Sequence, residues 1–372
     1  MKRMVFVLTI FWLIILAVPA SITAEPASKK GATYPAEWRI LAALDPAYEV
    51  VQLTTDPRDD CKLYYTTNPY IAATNQLIFA SARTGARNLF AIDLASGTIT
   101  QLTDGKGIDA EHAVVCPKTL EVFYRQNDTV KALRLDRLTE RVLYRFNNTQ
   151  YKVMGSISIS SDGTKVAFPL VSLGNGPQTS KLMTVNSDGS QAHEVCTVSG
   201  IINHAYLSPQ FADRLMFMVV DGGMWLVQAD GKNRRCLRSE TAQENVSHPF
   251  WYPDGIRIGY TIKQKPADTF GSVDSATGEY REPFRFPAHS THCNISPDAQ
   301  TLVGDGDVKK PFLILYQITP ERLIAKTIFR HGSSFRNETV HPHPTFINRT
   351  DVAFNSDHAG NGDIYILRKR NP

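Results

Sequence analysis

A phrase of thirteen residues returns along this chain about every 44 positions, and that period restricts the fold more than any other feature. It reads Ser156-Ile-Ser-Ile-Ser-Ser-Asp-Gly-Thr-Lys-Val-Ala-Phe168, then His248-Pro-Phe-Trp-Tyr-Pro-Asp-Gly-Ile-Arg-Ile-Gly-Tyr260, then His292-Cys-Asn-Ile-Ser-Pro-Asp-Ala-Gln-Thr-Leu-Val-Gly304. Weaker copies begin at Thr67, His112, His204 and His343. Each copy is strand, polar turn, strand, with Asp-Gly or Pro-Asp supplying the tight turn. Seven copies at this spacing match the four-stranded blades of a propeller, so the expected fold is all-β, a seven-bladed β-propeller. A two-sheet sandwich is the alternative, but it does not require a 44-residue period.

The ends fit a closed ring. The seventh copy leaves room for only about three strands before Pro372. Tyr48-Glu-Val-Val-Gln-Leu-Thr-Thr55 resembles Gly97-Thr-Ile-Thr-Gln-Leu-Thr-Asp104, the outer strand of the first blade. An N-terminal strand at 48–54 pairing with the strand at 363–368 would close the last blade and remove an open edge. The expected organisation is therefore a signal peptide over 1–24, a linker over 25–45 and a propeller over 46–370.

Lys2 and Arg3 precede an apolar stretch from Val5 to Val18, and Pro19-Ala-Ser-Ile-Thr-Ala24 offers a small-x-small cleavage end. The expected location is periplasmic or secreted. The apolar stretch is short for a spanning helix, so no stable membrane insertion is expected after cleavage. The net charge is +4, or +2 without Lys2 and Arg3, with no polybasic run, which argues against nucleic acid. The five cysteines are scattered, with no CxxC pair, and read mostly as buried free thiols. A monomer is expected.

Five of the ten histidines, His112, His204, His248, His292 and His343, occupy the first position of their repeat. In a propeller, equivalent innermost positions lie on one ring around the channel, so these imidazoles should converge on one mouth. His289 and His341 precede two of these slots and are expected beside them. His341-Pro-His343 is the sharpest local pattern: on a strand, residues i and i+2 project from one face and can reach one ion. His292 from the next blade would add a third nitrogen and Glu338 an oxygen, a set that suits several divalent metals. The bland alternative is a wet channel lined by hydrogen-bonded histidines. Asp162-Gly and Asp254-Gly read as turns, and Gly304-Asp-Gly306-Asp307 as a tight turn in preference to a calcium site. The basic loop Arg83-Thr-Gly-Ala-Arg87 reads as a solvated loop or as one that faces an acidic ligand. No Gly-x-Ser-x-Gly elbow occurs.

Five segments together resemble the oligogalacturonate lyases: Phe79-Ala-Ser-Ala-Arg-Thr-Gly-Ala-Arg-Asn-Leu-Phe90, Ile99-Thr-Gln-Leu-Thr-Asp-Gly-Lys-Gly107, Ser247-His-Pro-Phe-Trp-Tyr-Pro-Asp-Gly255, Val303-Gly-Asp-Gly306 and His341-Pro-His343. The likeness runs over most of 48–370, and the first two segments are also similar to TolB-type propellers. The resemblance implies a seven-bladed propeller that cleaves short α-1,4-linked galacturonides by β-elimination with Mn²⁺ in the channel mouth. It implies metal ligands at His292, His341 and His343, with Glu338 where the family has glutamine, and a base at His248. His112, His204, His289, Arg83 and Arg87 are then the expected contacts to an acidic oligosaccharide. The family's arginine, one blade before the base, has no counterpart in Asp221-Gly-Gly-Met-Trp225. The reading is an exported metal-dependent lyase of uronic-acid oligosaccharides. A non-catalytic TolB-like propeller that binds protein or glycan is the alternative.

Overall fold

The computed structural model describes residues 29–370 except 242, 265 and 266; the expected signal peptide lies outside the described residues. Strands form seven antiparallel sheets in chain order around a central channel, a seven-bladed propeller. The innermost strand of each blade lines the channel. These are Asp60–Lys62 with Tyr70–Ile71 (blade 1), Ile108–Cys116 (2), Ser158–Ile159 (3), Ile202–Leu207 (4), Asn245–Trp251 (5), Cys293–Ile295 (6) and Thr345–Phe346 (7). The alternation of apolar and polar residues sends side chains to both faces of each sheet. Neighbouring blades bury them together. Phe79, Phe90 and Ile92 of blade 1 meet Leu53, Ile364 and Ile366 of blade 7. Phe250 and Phe270 of blade 5 meet Ile295, Leu302 and Tyr316 of blade 6.

The ring closes as the short seventh repeat requires. Tyr48–Gln52 pairs antiparallel with Asp363–Lys369, from Tyr48 opposite Lys369 to Gln52 opposite Tyr365. The segment read as a linker does more than connect. Arg39–Ala42 adds a further strand outside Tyr48–Gln52, and Thr33–Tyr34 pairs with Ile99–Gln101 on the rim of blade 1. The turns carry the residues their geometry demands. Gly255 has φ +65°, and a Cβ there would lie 2.6 Å from Ser208 Oγ. All five cysteines are free, and Cys61, Cys116 and Cys293 are buried. No helix among the described residues is long and apolar enough to cross a membrane.

Blade 1 departs from the repeat. Its inner strand is interrupted between Lys62 and Tyr70, and the intervening residues reach into the channel. The Tyr64 amide donates to the Glu111 carbonyl of blade 2, while the Tyr65 carbonyl accepts from Asn294 of blade 6 and Thr345 of blade 7. Tyr65 is fully buried. This segment ties three other blades together.

Candidate metal centre at the channel mouth

Six of the histidines named from sequence meet at one mouth. His248 and His292 lie with ring centroids 4.7 Å apart, His292 and His343 4.3 Å, His292 and His341 5.4 Å, and His204 and His248 6.4 Å. Tyr64 completes the circuit, 6.1 Å from His204 and 4.9 Å from His343, and His112 packs on it at 5.8 Å. Local irregularities aim these rings. The pairing of blade 4's inner strand shifts between Ile202 and His204, and that of blade 5 between Ser247 and Phe250. In blade 2 the residues between Asp109 and Val114 bulge out of register. Such bulges re-aim side chains next to functional sites. His248 and His343 have φ of +53° and +45°, left-handed values uncommon for residues with a Cβ.

The His341-Pro342-His343 pair does not sit on one strand face. It spans the end of a 3₁₀ turn, Glu338–Val340, and the approach to Thr345–Phe346. The left-handed turn at His343, not strand alternation, brings the two rings within 5.5 Å. Ligand-capable atoms of His292, Glu338, His341 and His343 all lie within 4.8 Å of one another. Glu338 Oε2 is 3.7 Å from His341 Nδ1 and 3.5 Å from His343 Nε2. Both of those nitrogens are buried without a hydrogen-bond partner. His292 donates from Nδ1 to Asp305 Oδ2 at 2.7 Å, which leaves Nε2 as its free acceptor. Burial, together with the neighbouring His292 and Lys62, holds His343 well below the usual histidine range, so it is neutral, as a ligand must be. Orphaned imidazole nitrogens beside a half-free carboxylate are a donor set that fits a divalent cation.

His248 adjoins this set. Burial lowers its pKa well below the ordinary value, and His292, His204 and Lys263 push the same way. Its Nδ1 has no partner. It is a neutral imidazole, the form a base requires. His204 is buried, its Nδ1 is 2.7 Å from the Tyr206 hydroxyl, and burial pushes its pKa down to about 4.

Three expected ligand contacts are placed differently. Arg83 is buried, with Nη1 2.8 Å from Glu37 and Nη2 2.7 Å from Asp60, its guanidinium among Tyr34, Phe79 and Phe90. It clamps blade 1 rather than facing the mouth. His289 pairs with Asp268 at 3.0 Å and takes part in none of the ring contacts. Arg87 is half-buried and borders the mouth through Glu111 at 3.5 Å, but one nitrogen is spent on Cys61 Sγ.

Sequence reasoning missed four groups. Asp305, assigned to a turn, is wholly buried and accepts from the Thr291 and His292 amides as well as the His292 ring. Tyr64 and Tyr65 pack against the site's histidines. Lys62 is 1 % exposed, lines a small cavity with Tyr64, Glu111, His112, Glu338 and His343, and is pushed by burial down to about 7. Asp109 holds His112 Nδ1 at 2.8 Å. The Val-Gly-Asp-Gly segment was the available signal for Asp305. Beyond His248, Asp221, Glu240, Glu244, Asn245 and Lys263 line an open cavity of about 920 Å³.

Residues 208–371 match the family model described as oligogalacturonate lyase. The chain is 25% identical over 365 residues to an oligogalacturonide lyase of Pectobacterium atrosepticum, covering 86% of this chain and 93% of that one. It is 24% identical to an oligogalacturonate lyase of Dickeya dadantii, over 86% and 93%. Among solved structures, an oligogalacturonate lyase in complex with manganese superposes with a TM-score of 0.84 at 23% identity, covering 92% of this chain and 98% of that one. The Vibrio parahaemolyticus oligogalacturonate lyase gives 0.82 at 24% identity, over 91% and 98%. Both structures share the propeller described above.

Proposed function

We propose that this protein is a carbon–oxygen lyase that cleaves short uronic-acid oligosaccharides, oligogalacturonides, by β-elimination, with Mn²⁺ held by His292, His341, His343 and Glu338. Its similarity to oligogalacturonate lyases over most of the chain, one of them described as a manganese complex, supports the reaction class and the metal. The observation that carries the reading is the placement of a neutral imidazole, His248, 4.7 Å in ring separation from His292, one of four converging metal-capable side chains.

The chemistry follows from those residues. Elimination from a uronide removes the weakly acidic C5 proton and then expels the C4 oxygen. A divalent cation in this site would neutralise the C6 carboxylate and stabilise the negative charge that develops as C5 loses its proton. His292 is fixed by Asp305 so that its Nε2 faces the cluster. His248 takes the C5 proton, its left-handed backbone and bulged strand aiming it at the mouth. Tyr64 and Tyr65 pack against the site histidines and hold the cluster in place.

The test is direct. Purified protein with Mn²⁺ and oligogalacturonides should yield an ultraviolet-absorbing C4–C5 unsaturated product, and a chelator should abolish it. Absence of that product under metal-saturated conditions rejects the reading. We propose in addition that the protein is exported, on the charged, apolar and small-residue order of 1–24. N-terminal sequencing of the mature protein should begin at Glu25.

A further inference from the structure

The galacturonate ring carries H5 and O4 on opposite faces. An elimination from it therefore removes a proton on one side and must supply one to the departing oxygen on the other. The base accounts for only the first transfer. This inference rests on the elimination reading above.

We propose that His112, held in place by Asp109, is the acid that protonates the C4 oxygen of the leaving sugar. His112 stands on blade 2 and His248 on blade 5, three positions apart in a ring of seven and so nearly opposite across the mouth. The bulge between Asp109 and Val114 carries His112 out of the sheet. Its ring packs against Tyr64, on whose other contacts lie His204 and His343. The small cavity that His112 lines is shared with Glu338 and His343, so it faces the proposed metal ligands.

The other imidazoles are excluded by their surroundings. His292, His341 and His343 converge with Glu338, and His204 is buried against Tyr206 and neutral. His112 keeps 29 % of its side chain exposed. Its Nδ1 is 2.8 Å from Asp109 Oδ1, and Arg125 binds the second oxygen of Asp109. That carboxylate fixes Nδ1 as a donor, so Nε2 is the nitrogen left for the mouth, and it carries a proton to give when the ring is the imidazolium that Asp109 stabilises. Burial works against the charged ring, but Asp109 and Glu111 outweigh it and hold His112 above its ordinary pKa, even with Arg125 opposing. Asp109, Glu111 and His112 also lie close enough to hold a cation, but Arg125 and Arg87 already supply the opposing charge.

The step balances. His248 takes the C5 proton, and the C5–H electron pair becomes the C4–C5 double bond. The C4–O bond breaks with its electrons on oxygen, and that oxygen takes the Nε2 proton of His112. His248 returns its proton to solvent and His112 regains one. Asp109 is a positioning residue.

The experiment compares two substrates with the full-length, Mn²⁺-loaded protein: digalacturonate, whose leaving alkoxide needs a proton, and a galacturonide bearing a nitrophenoxide at C4, which does not. His112→Asn, which keeps a donor to Asp109, should lose about 10² to 10⁴ in kcat on digalacturonate. It should stay within about tenfold of wild type on the activated substrate, with unchanged metal content and Tm. Asp109→Asn should show the same substrate dependence more weakly. Equal losses on both substrates, or no loss on digalacturonate, would overturn the assignment while leaving the elimination reading intact. A wild type inactive on both substrates overturns that reading and this one with it.

Discussion

Asp305 grips His292 at two points, its Oδ1 accepting the backbone amide at 2.9 Å and its Oδ2 the ring Nδ1 at 2.7 Å. A ligand imidazole fixed in this way loses no orientational freedom when it binds an ion. Asp305→Asn should lower Mn²⁺ affinity by about 10- to 100-fold, measured by calorimetric titration. The propeller should remain folded, because the Thr291 and His292 amides can still donate to the asparagine oxygen.

Removing the two orphaned nitrogens is a stronger test of the metal site. Wild-type protein purified without chelator should carry about one divalent ion per chain, and added Mn²⁺ should raise its Tm. His341→Ala with His343→Ala should abolish both effects in elemental analysis and thermal melts. Undiminished metal content in that variant places the ion elsewhere.

For His248 the expected loss is catalytic. His248→Ala should lower turnover by about 10² to 10⁴ while retaining metal and Tm. Its folded pKa lies well below 6.5, and a nearby divalent charge would press it further down. The neutral base therefore persists as pH falls, so the acid limb of kcat/KM should lie below 6.5. A limb above that value would contradict the buried, neutral ring.

Tyr65 gives a stability prediction. It is fully buried, and its ring contacts His248, His292 and His343 at 6.2, 5.5 and 5.9 Å. Tyr65→Ala should cost about 3–5 kcal/mol, the range for emptying an aromatic site in a core. Denaturant unfolding would measure this, and metal affinity should fall with it because the cavity opens beneath three site histidines.

The seam between blades 1 and 7 makes stability depend on pH. Asp363 accepts from Gln52 and Thr54, and burial raises its pKa to about 7, with Asp60 adding to the rise. Burial likewise raises Asp60 to about 6, against the pull of Arg83. Both groups bind protons more tightly folded than unfolded. Their contribution is full below about pH 4 and fades as pH rises through 6 to 7. Unfolding free energy measured between pH 5 and 8 should decline less steeply in Asp363→Asn than in wild type.

The parts legible in the sequence were those that repeat. Inward positions of successive blades are equivalent, so His204, His248, His292 and His343 declared their ring by spacing alone. What broke the repeat was hidden. Tyr64 and Tyr65 lie in an interruption of blade 1 that leaves no period. The turn that unites His341 and His343 depends on a positive φ at a residue whose type does not announce it. Arg83 looked like a ligand-facing cation because its partners, Glu37 and Asp60, lie 46 and 23 residues earlier in the chain. Long-range pairing is not visible in a local pattern. Asp305 was mistaken for a turn residue because Gly-Asp-Gly suits a turn, while its true partner, His292, lies 13 residues upstream.

The pairing of Tyr48–Gln52 with Asp363–Lys369 has a consequence for how the molecule comes to life. The segment leading into blade 7 carries three of the four proposed metal ligands, yet the blade's outer strands are among the earliest described parts of the chain and its inner ones among the last. Blade 7 cannot be finished until Asp363–Lys369 has been made and has paired with Tyr48–Gln52. A nascent or clipped chain would hold most of the imidazoles and still lack a firm scaffold for the ion. An ion held by the proposed ligands would therefore favour chains in which Tyr48–Gln52 has already paired with Asp363–Lys369.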